Sequence, residues 1–530
     1  VMQRQTAFVT LDNKGKELST ISWEKLSLRA EKVAQVIRDK SGLYRGDRVA
    51  LYYTESEVGD FVVALLGCFL AGVVAVPMNP SSPFKDITFI LNNTQAHLVL
   101  TTDTSLKNLN RLLATQRIQW PKGIEWWKTN EFGSYHPPSK KSDPPALQVP
   151  DLAYIEFSRS PVGELRGVVL SHRTILHQMT CLSAILNSKK QAKKPGNRSN
   201  WVLTNLDVRQ SIGLVIGVLL TVYTGNTTVW VPQSALATGG LYANIISRFH
   251  INILLSDYPG LKQVAYNYQS FPHLTRNFSK KQPVDLSSIQ WCLIDALIVD
   301  TEFHEVLQDR WLKPLGNKNY RDVVAPMLTL LEHGGMVIAM RDWLKNEDKL
   351  GCKIINPSID DENCGPTDLS EVLLYKSALT TNSVKIVTSS PSRNSISEDN
   401  KKYVRVGGFG FPLPDATLAI VNPETCILSP ENALGEIWID SPSLSGGFWG
   451  MGKETDLVFH ASCYDNDGPV DMEFLRTGLL GFIFNGKVYV LGLYEDRLRQ
   501  KVDWTNPEEV EEVKNTKLLT SFMEYRYHYS

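Results

Sequence analysis

Over roughly its first 300 residues the chain alternates two hydrophobic rhythms. In Glu24–Gly42, Leu26, Ala30, Val33, Ala34 and Ile37 fall on one face of a 3.6-residue repeat, and Gly42 supplies a stop. That spacing predicts an amphipathic helix. Short apolar runs follow it, and these predict buried strands: 47–54 and Val73–Val76, with a helix Phe61–Ala71 between them, then a helix 84–94 and a strand 97–103. The rhythm resumes with a strand Tyr154–Phe157 and a helix Thr174–Leu186. Strands Trp201–Thr204, Thr227–Val231, Asn252–Leu255 and Ile289–Ile294 follow, with a helix Tyr242–Phe249. Alternating strands and helices predict parallel sheets covered on both faces. Beyond about residue 360 the pattern shortens to strands Glu371–Tyr375, Thr417–Val421, Gly435–Ile439, Phe482–Phe484 and Lys487–Leu491, separated by Pro, Gly and Asn. This predicts a small β-rich unit. Segments 136–145, 189–200 and 388–402, rich in Pro, Lys, Ser or Asn, read as loops.

The 530 residues exceed one ordinary core and predict two to four folding units. With 55 Lys and Arg against 56 Asp and Glu, nothing in the overall charge draws the chain to nucleic acid or to an anionic membrane. Seven scattered cysteines without a CxxC pair point to structural thiols in a reducing, cytoplasmic compartment. The most apolar run, Phe61–Pro77, is short for a membrane span and is broken by Gly72 and Pro77, so no transmembrane segment and no signal peptide is read. HExxH, GxSxG and dinucleotide fingerprints are absent from the sequence. His172 reads as a helix-start cap contact and His333 as a loop histidine.

One stretch carries candidate chemistry. In "YIEFSRSPVGELRGVVLSH", Tyr154–His172, a strand enters a loop of small residues with one basic residue, then a second strand and a helix start. That is the outline of a phosphate-holding loop. Segments 410–425, "GEIWIDSPSLSGGFWG" at 435–450, "FLRTGLLGFIFNGKVYVLG" at 474–492 and "YEDRLRQK" at 494–501 follow in the order of the acyl-adenylate-forming superfamily's motifs. The chain resembles that superfamily over most of residues 20–502, its fatty acyl-AMP ligase branch in particular. It is similar to the first of the two tandem domains of the disco-interacting protein 2 family, which is linked to diacylglycerol and neutral-lipid balance.

The resemblance implies a fold: an α/β protein with two doubly wound α/β subdomains (residues 1–360), a distorted β-barrel (361–495), and a hinge at Asp496 opening the C-terminal domain. Residues 496–530 would supply only a fragment of that domain, which brings the family's transition-state lysine. The resemblance also assigns residues. Ser158, Gly163, Arg166 and Gly167 match the phosphate loop, with Arg166 in place of lysine, a planar donor for a point charge. Arg159 and Ser160 replace Ser and Gly; Arg159 either holds a phosphate or fills its place. Pro161 and Val162 remove hydroxyls, and Pro161 an N–H. Glu332 matches the family's Mg²⁺-associated glutamate. Leu328 replaces its adenine-side tyrosine and Thr329 a glycine. Of the adenine-side segment at 292–300 only Ala296 matches. Thr477 is kept, but Leu479 stands for the aspartate that accepts the ribose hydroxyls, and Leu493 for an arginine that also reaches the ribose. Gln210 and Ser211 replace His-Asp, while Gly213 and Gly217 remain on the segment that lines the acyl tunnel.

Two functions follow as expectations. In the first, the ATP and Mg²⁺ site is degraded, and the domain binds a fatty acyl chain or regulates other domains of a larger lipid-homeostasis protein at the periphery of organelle membranes. In the second, it is an active ligase that makes an acyl-adenylate through Arg159, Arg166 and Glu332. The ligase branch blocks the usual CoA route, so CoA is not expected in either.

Overall fold

The computed structural model describes residues 5–116, 122–135, 150–160, 163–187, 199–278, 283–341, 353–354, 371–387, 402–430 and 432–495. Asp496, Pro161, Val162 and almost all of the three predicted loops lie outside them.

Two sheets carry the fold. The first has six strands in the order Glu125–Lys128, Leu98–Thr101, Arg48–Tyr52, Val74–Met78, Leu152–Arg159 and Leu165–Ser171. Its strands are parallel except the last, which returns antiparallel from the phosphate-loop hairpin. Val49, Ala50, Leu51, Val74, Ala75 and Val76 are all buried, as expected of strands covered on both faces. The helix Phe61–Ala71 is observed as Val58–Ala71, ended by Gly72 in the left-handed region (φ 79°). No helix among the described residues is long and apolar enough to cross a membrane.

The second sheet is the longer. From Thr6–Leu11 it runs in parallel through Thr227–Trp230, Trp201–Thr204, Ile253–Asp257, Trp291–Ala296 and Val324–Thr329. It then turns antiparallel through Val337–Met340 into Tyr403–Pro412, Lys487–Leu493, Pro469–Phe484, Gly435–Asp440 and Thr417–Val421. The β-rich region is therefore hydrogen-bonded, through Ala339 opposite Pro412 and Met340 opposite Phe411, to the α/β sheet before it. The N-terminal hairpin of Thr6–Leu11 with Glu17–Ser22, which the periodicity did not reveal, closes the other edge. The five described cysteines are free, and Cys68, Cys181, Cys292 and Cys463 are buried; Cys352 and Cys364 lie outside the described residues.

Candidate functional site: the hairpin cleft

The hairpin of Leu152–Arg159 and Leu165–Ser171 sets Ser158 opposite Arg166 and Arg159 opposite Leu165. Its loop is closed by its own backbone. Ser160 N–H donates to the Glu164 carbonyl (2.8 Å) and Gly163 N–H to the Ser160 carbonyl (2.8 Å). Glu164 N–H donates to Ser160 Oγ (3.2 Å). Gly163 sits at φ 89°, a region that favours glycine. The N–H groups of Ser160, Gly163 and Glu164 are thus engaged inside the turn.

Both loop arginines are paired with the chain's own acceptors. Arg159 forms an ion pair with Asp86, in the first turn of the helix Phe84–Thr94, and donates from Nη1 to the Gly163 carbonyl (2.8 Å). Arg166 Nη2 donates to Glu164 Oε2 (2.8 Å), and its guanidinium lies 5.4 Å from the Phe448 ring centroid. Arg166 Nε is buried with no hydrogen-bond partner. Gly167 is needed sterically: a Cβ there would meet Phe157 Cζ at 2.7 Å. Behind it the segment Gly446–Trp449 runs along the second hairpin strand, with Trp449 N–H donating to the Gly167 carbonyl (2.6 Å).

Asp86 is buried while Arg159 is half-exposed, so their pair is worth at most about 1 kcal/mol. Asp86→Asn should therefore change global stability little but loosen the loop. The expected result is trypsin cleavage after Arg159 several-fold faster than in the parent. An unchanged cleavage rate would show that the loop is held without this pair.

Glu332 follows the strand Val324–Thr329 in a short 3₁₀ turn, Leu331–His333. Burial raises its pKa; Glu495 adds to the rise and Arg166 opposes it. Glu332, Arg166 and Glu495 thus share one electrostatic neighbourhood. Gly335 of the same turn lies so close to the next element that a Cβ would fall 2.5 Å from Ser211 Cα, and one on Gly334 would fall 2.6 Å from Leu170 Cδ1. His333, read as a loop histidine, ends the same short turn and is fully buried; both ring nitrogens lack partners, and burial lowers its pKa to about 4. His172 is not the cap of its helix either. Ser171 Oγ accepts from Thr174 N–H (3.0 Å), while the His172 ring stands edge-on to Phe69 at 5.0 Å.

One functional candidate was missed. Glu156, within the first hairpin strand, is 2% exposed and accepts from Ser211 N–H (2.9 Å) and Ser211 Oγ (2.9 Å). Ser211 has φ 49° and opens the helix toward Thr224. Burial raises Glu156 to about 7, Ser211's hydrogen bonds oppose this, and Asp207 adds to it. A carboxylate set among Tyr154, Ile155 and Phe157 was the available sequence signal.

Gly213 is where a side chain cannot fit, since a Cβ would lie 2.2 Å from the Asp207 carbonyl. Gly217 is less constrained, with Val208 and Thr204 methyls at 3.6 and 3.7 Å. It lies in a π-helical stretch, Val215–Leu220, buried throughout. Thr228 Oγ1 donates to the Gly217 carbonyl (2.7 Å) that this widened turn frees.

On the last face, Thr477 Oγ1 donates to the Ile437 carbonyl (2.6 Å) and accepts from Leu479 N–H (3.1 Å), so its hydroxyl is held within the sheet. Glu436 takes Gly478 N–H (3.0 Å) and Arg476 Nη2 (2.9 Å). Leu479, fully buried, is the direct cross-strand partner of Leu493. Leu328 is fully buried between Ala296 and Ala339.

A family model described as "AMP-binding enzyme" matches residues 2–355. The chain belongs to the AMP-binding enzyme family. It is 54% identical to the uncharacterized protein C56F8.02 of Schizosaccharomyces pombe over 95% of this chain and 34% of that one. It is 34% identical to the homeostatic regulator of DAG of Saccharomyces cerevisiae over 94% of this chain and 32% of that one. Human disco-interacting protein 2 homolog B is 25% identical over 92% of this chain and 29% of its own length. The chain thus spans about a third of each of these relatives. The fatty acyl-adenylate ligase of Legionella pneumophila, solved with acyl adenylate and pyrophosphate, superposes with a TM-score of 0.69 at 20% identity, covering 96% of this chain and 78% of that one. The fold is that of the adenylate-forming N-terminal domain.

Proposed function

We propose that this is a fatty-acyl-AMP-ligase-like domain whose nucleotide contacts have been replaced, and that it serves diacylglycerol and neutral-lipid homeostasis by binding an acyl chain or regulating its neighbours. The observation that carries this reading is the Leu479–Leu493 pair. The ligases place a carboxylate and an arginine at these two positions to receive the ribose; here they form one apolar wall. Each ribose hydroxyl buried against it without a partner costs about 1–3 kcal/mol. The self-satisfied loop and the Asp86-bound Arg159 support the same reading. These residues do not fit Mg-ATP well. Glu332 with Glu495 nearby offers carboxylates of the kind Mg²⁺ takes alongside substrate phosphates, but the ribose side offers no acceptor at either position. Among the described residues no group of three or more His, Cys, Asp or Glu could hold a metal ion alone. On this reading CoA is not a substrate, and the acyl chain would lie along the buried helix that holds Gly213 and Gly217.

A second reading, an active acyl-AMP ligase, draws on the proximity of Arg166 to Glu332. An assay for acyl-AMP across fatty acid chain lengths separates the two. The proposal expects fatty acid binding without acyl-AMP. Product that disappears in both Glu332→Ala and Arg166→Ala would establish the ligase instead.

A further inference from the structure

Cys426 and Cys463 are distant in sequence and adjacent in the fold. Cys426 lies in the turn that follows the strand Thr417–Val421: its N–H donates to the Asn422 carbonyl (2.9 Å), and Asn422 N–H donates to the Ile427 carbonyl (2.8 Å). Cys463 lies in the strand Ala461–Tyr464, the antiparallel neighbour of Pro469–Phe484. A short parallel ladder joins the two segments. Tyr464 N–H donates to the Cys426 carbonyl (2.9 Å), Leu428 N–H donates to the Tyr464 carbonyl (2.8 Å), and Ile427 pairs with Tyr464. One step back along both segments, this register sets Cys426 beside Cys463.

The side chains divide accordingly. Ile427 and Tyr464 turn outward, 46% and 47% exposed. Cys463 is fully buried in a cluster with Trp438 and Phe474, and Cys426 packs on the same cluster from its rim. Neighbouring segments of such a ladder lie about 4.8 Å apart, and a disulfide bridges Cα atoms about 4.4–6.8 Å apart. Burial pushes the Cys463 thiol up from its ordinary value, and Asp465 and Cys426 add to the rise. Of the five described cysteines, Cys426 alone is not buried. Its φ of 58° lies in the left-handed region, uncommon for a residue with a Cβ, so the closed turn fixes where its sulfur sits.

We propose that Cys426 and Cys463 are a redox-modification site that closes to a reversible disulfide, with a low-molecular-weight disulfide such as glutathione disulfide as the oxidant. Cys426, the accessible thiol, loses its proton and attacks one sulfur of the reagent. The reagent's S–S bond breaks, and the departing glutathione thiolate takes up that proton. Cys463 then loses its proton and attacks the Cys426 sulfur of the mixed disulfide, and a second glutathione leaves with the proton. Two protein thiols are oxidised, and one glutathione disulfide is reduced to two glutathiones. The closed bridge ties the turn after Thr417–Val421 to the strand Ala461–Tyr464, and through it to the strand that carries Leu479. The inference is independent of whether the cleft handles nucleotide.

Oxidation of the folded chain with glutathione disulfide tests it. The count of titratable thiols should fall by two, a non-reducing tryptic map should show Cys426 joined to Cys463, and dithiothreitol should restore both thiols. Cys463→Ala, which keeps a small apolar group at the buried position, should stop at a glutathione adduct on Cys426. Cys426→Ser should leave Cys463 unmodified. The link should form equally with Cys352→Ser and Cys364→Ser in place, which removes the two cysteines outside the described residues as competing partners. Absence of the link, a link from either sulfur to a different cysteine, or a link that forms only in urea would overturn the proposal. So would Cys463→Ala without an adduct on Cys426.

Discussion

Replacing Leu479 by aspartate is expected to lower stability by about 3–5 kcal/mol, because it buries a charge with no partner. Leu479 is fully buried and faces Leu493 across the strand pair. The aspartate can lower the cost only by staying protonated or by opening the pair to water. Leu493→Arg added to Leu479→Asp supplies a counter-charge at the facing position, so the double variant should recover part of the loss, although Leu493→Arg alone is itself unfavourable. Urea or thermal melts of the parent, both single variants and the double variant give the coupling directly. If Leu479→Asp melts like the parent, a solvated polar pocket already exists there, and the apolar wall on which the proposed function rests is wrong.

The second large effect concerns pH. Glu156→Gln is expected to make the protein about 3 kcal/mol more stable than the parent at pH 8 and to leave it nearly unchanged at pH 4. The carboxyl is held neutral in the fold up to about 7 against an ordinary 4.5, and a tenfold change in protonation is worth about 1.4 kcal/mol. Below 4.5 the group is protonated whether the chain is folded or unfolded, and its contribution is complete. As pH rises toward 7 only the unfolded chain ionises, so stability falls; above 7 the deficit is constant. Glutamine keeps an acceptor for Ser211 and does not ionise. Melting temperatures of parent and variant from pH 4 to pH 8 should therefore diverge through that window. Curves that stay parallel would mean that Glu156 is ionised and solvated in the fold.

The inner strands of the six-stranded sheet were legible because burial on both faces turns them into continuous apolar runs such as Val49–Leu51 and Val74–Val76; its edge strand Glu125–Lys128, largely unburied, was not. The edge strand Glu17–Ser22 was not, since most of its residues are exposed and carry no apolar run. The junction of the β-rich region with the α/β sheet rests on a pairing distant in sequence, Ala339 with Pro412, which no local pattern encodes. At the site, the motifs could mark Leu479 and Leu493 as departures from the family pattern, but they could not give the contact between the two. The turn Asn485–Gly486, with both residues at positive φ, marks a tight hairpin. Counting back from Phe484 opposite Lys487 would place Leu479 opposite Gly492. An irregularity between Leu480 and Gly481 moves the register by one residue and brings the two leucines together. Arg159 was readable as either a phosphate ligand or a substitute for one. Its ion pair with Asp86, 73 residues earlier in the chain, is a tertiary contact that spacing could not supply.

The central claim is that the cleft has exchanged its nucleotide contacts for contacts within the chain. Calorimetric titration with Mg-ATP tests it most directly, with the Legionella ligase, whose fold the chain shares, titrated alongside as a comparison. The expected result for this chain is no saturable heat up to about 1 mM nucleotide, an affinity weaker than about −4 kcal/mol. A saturating isotherm at micromolar Mg-ATP that is lost in Glu332→Ala would contradict it.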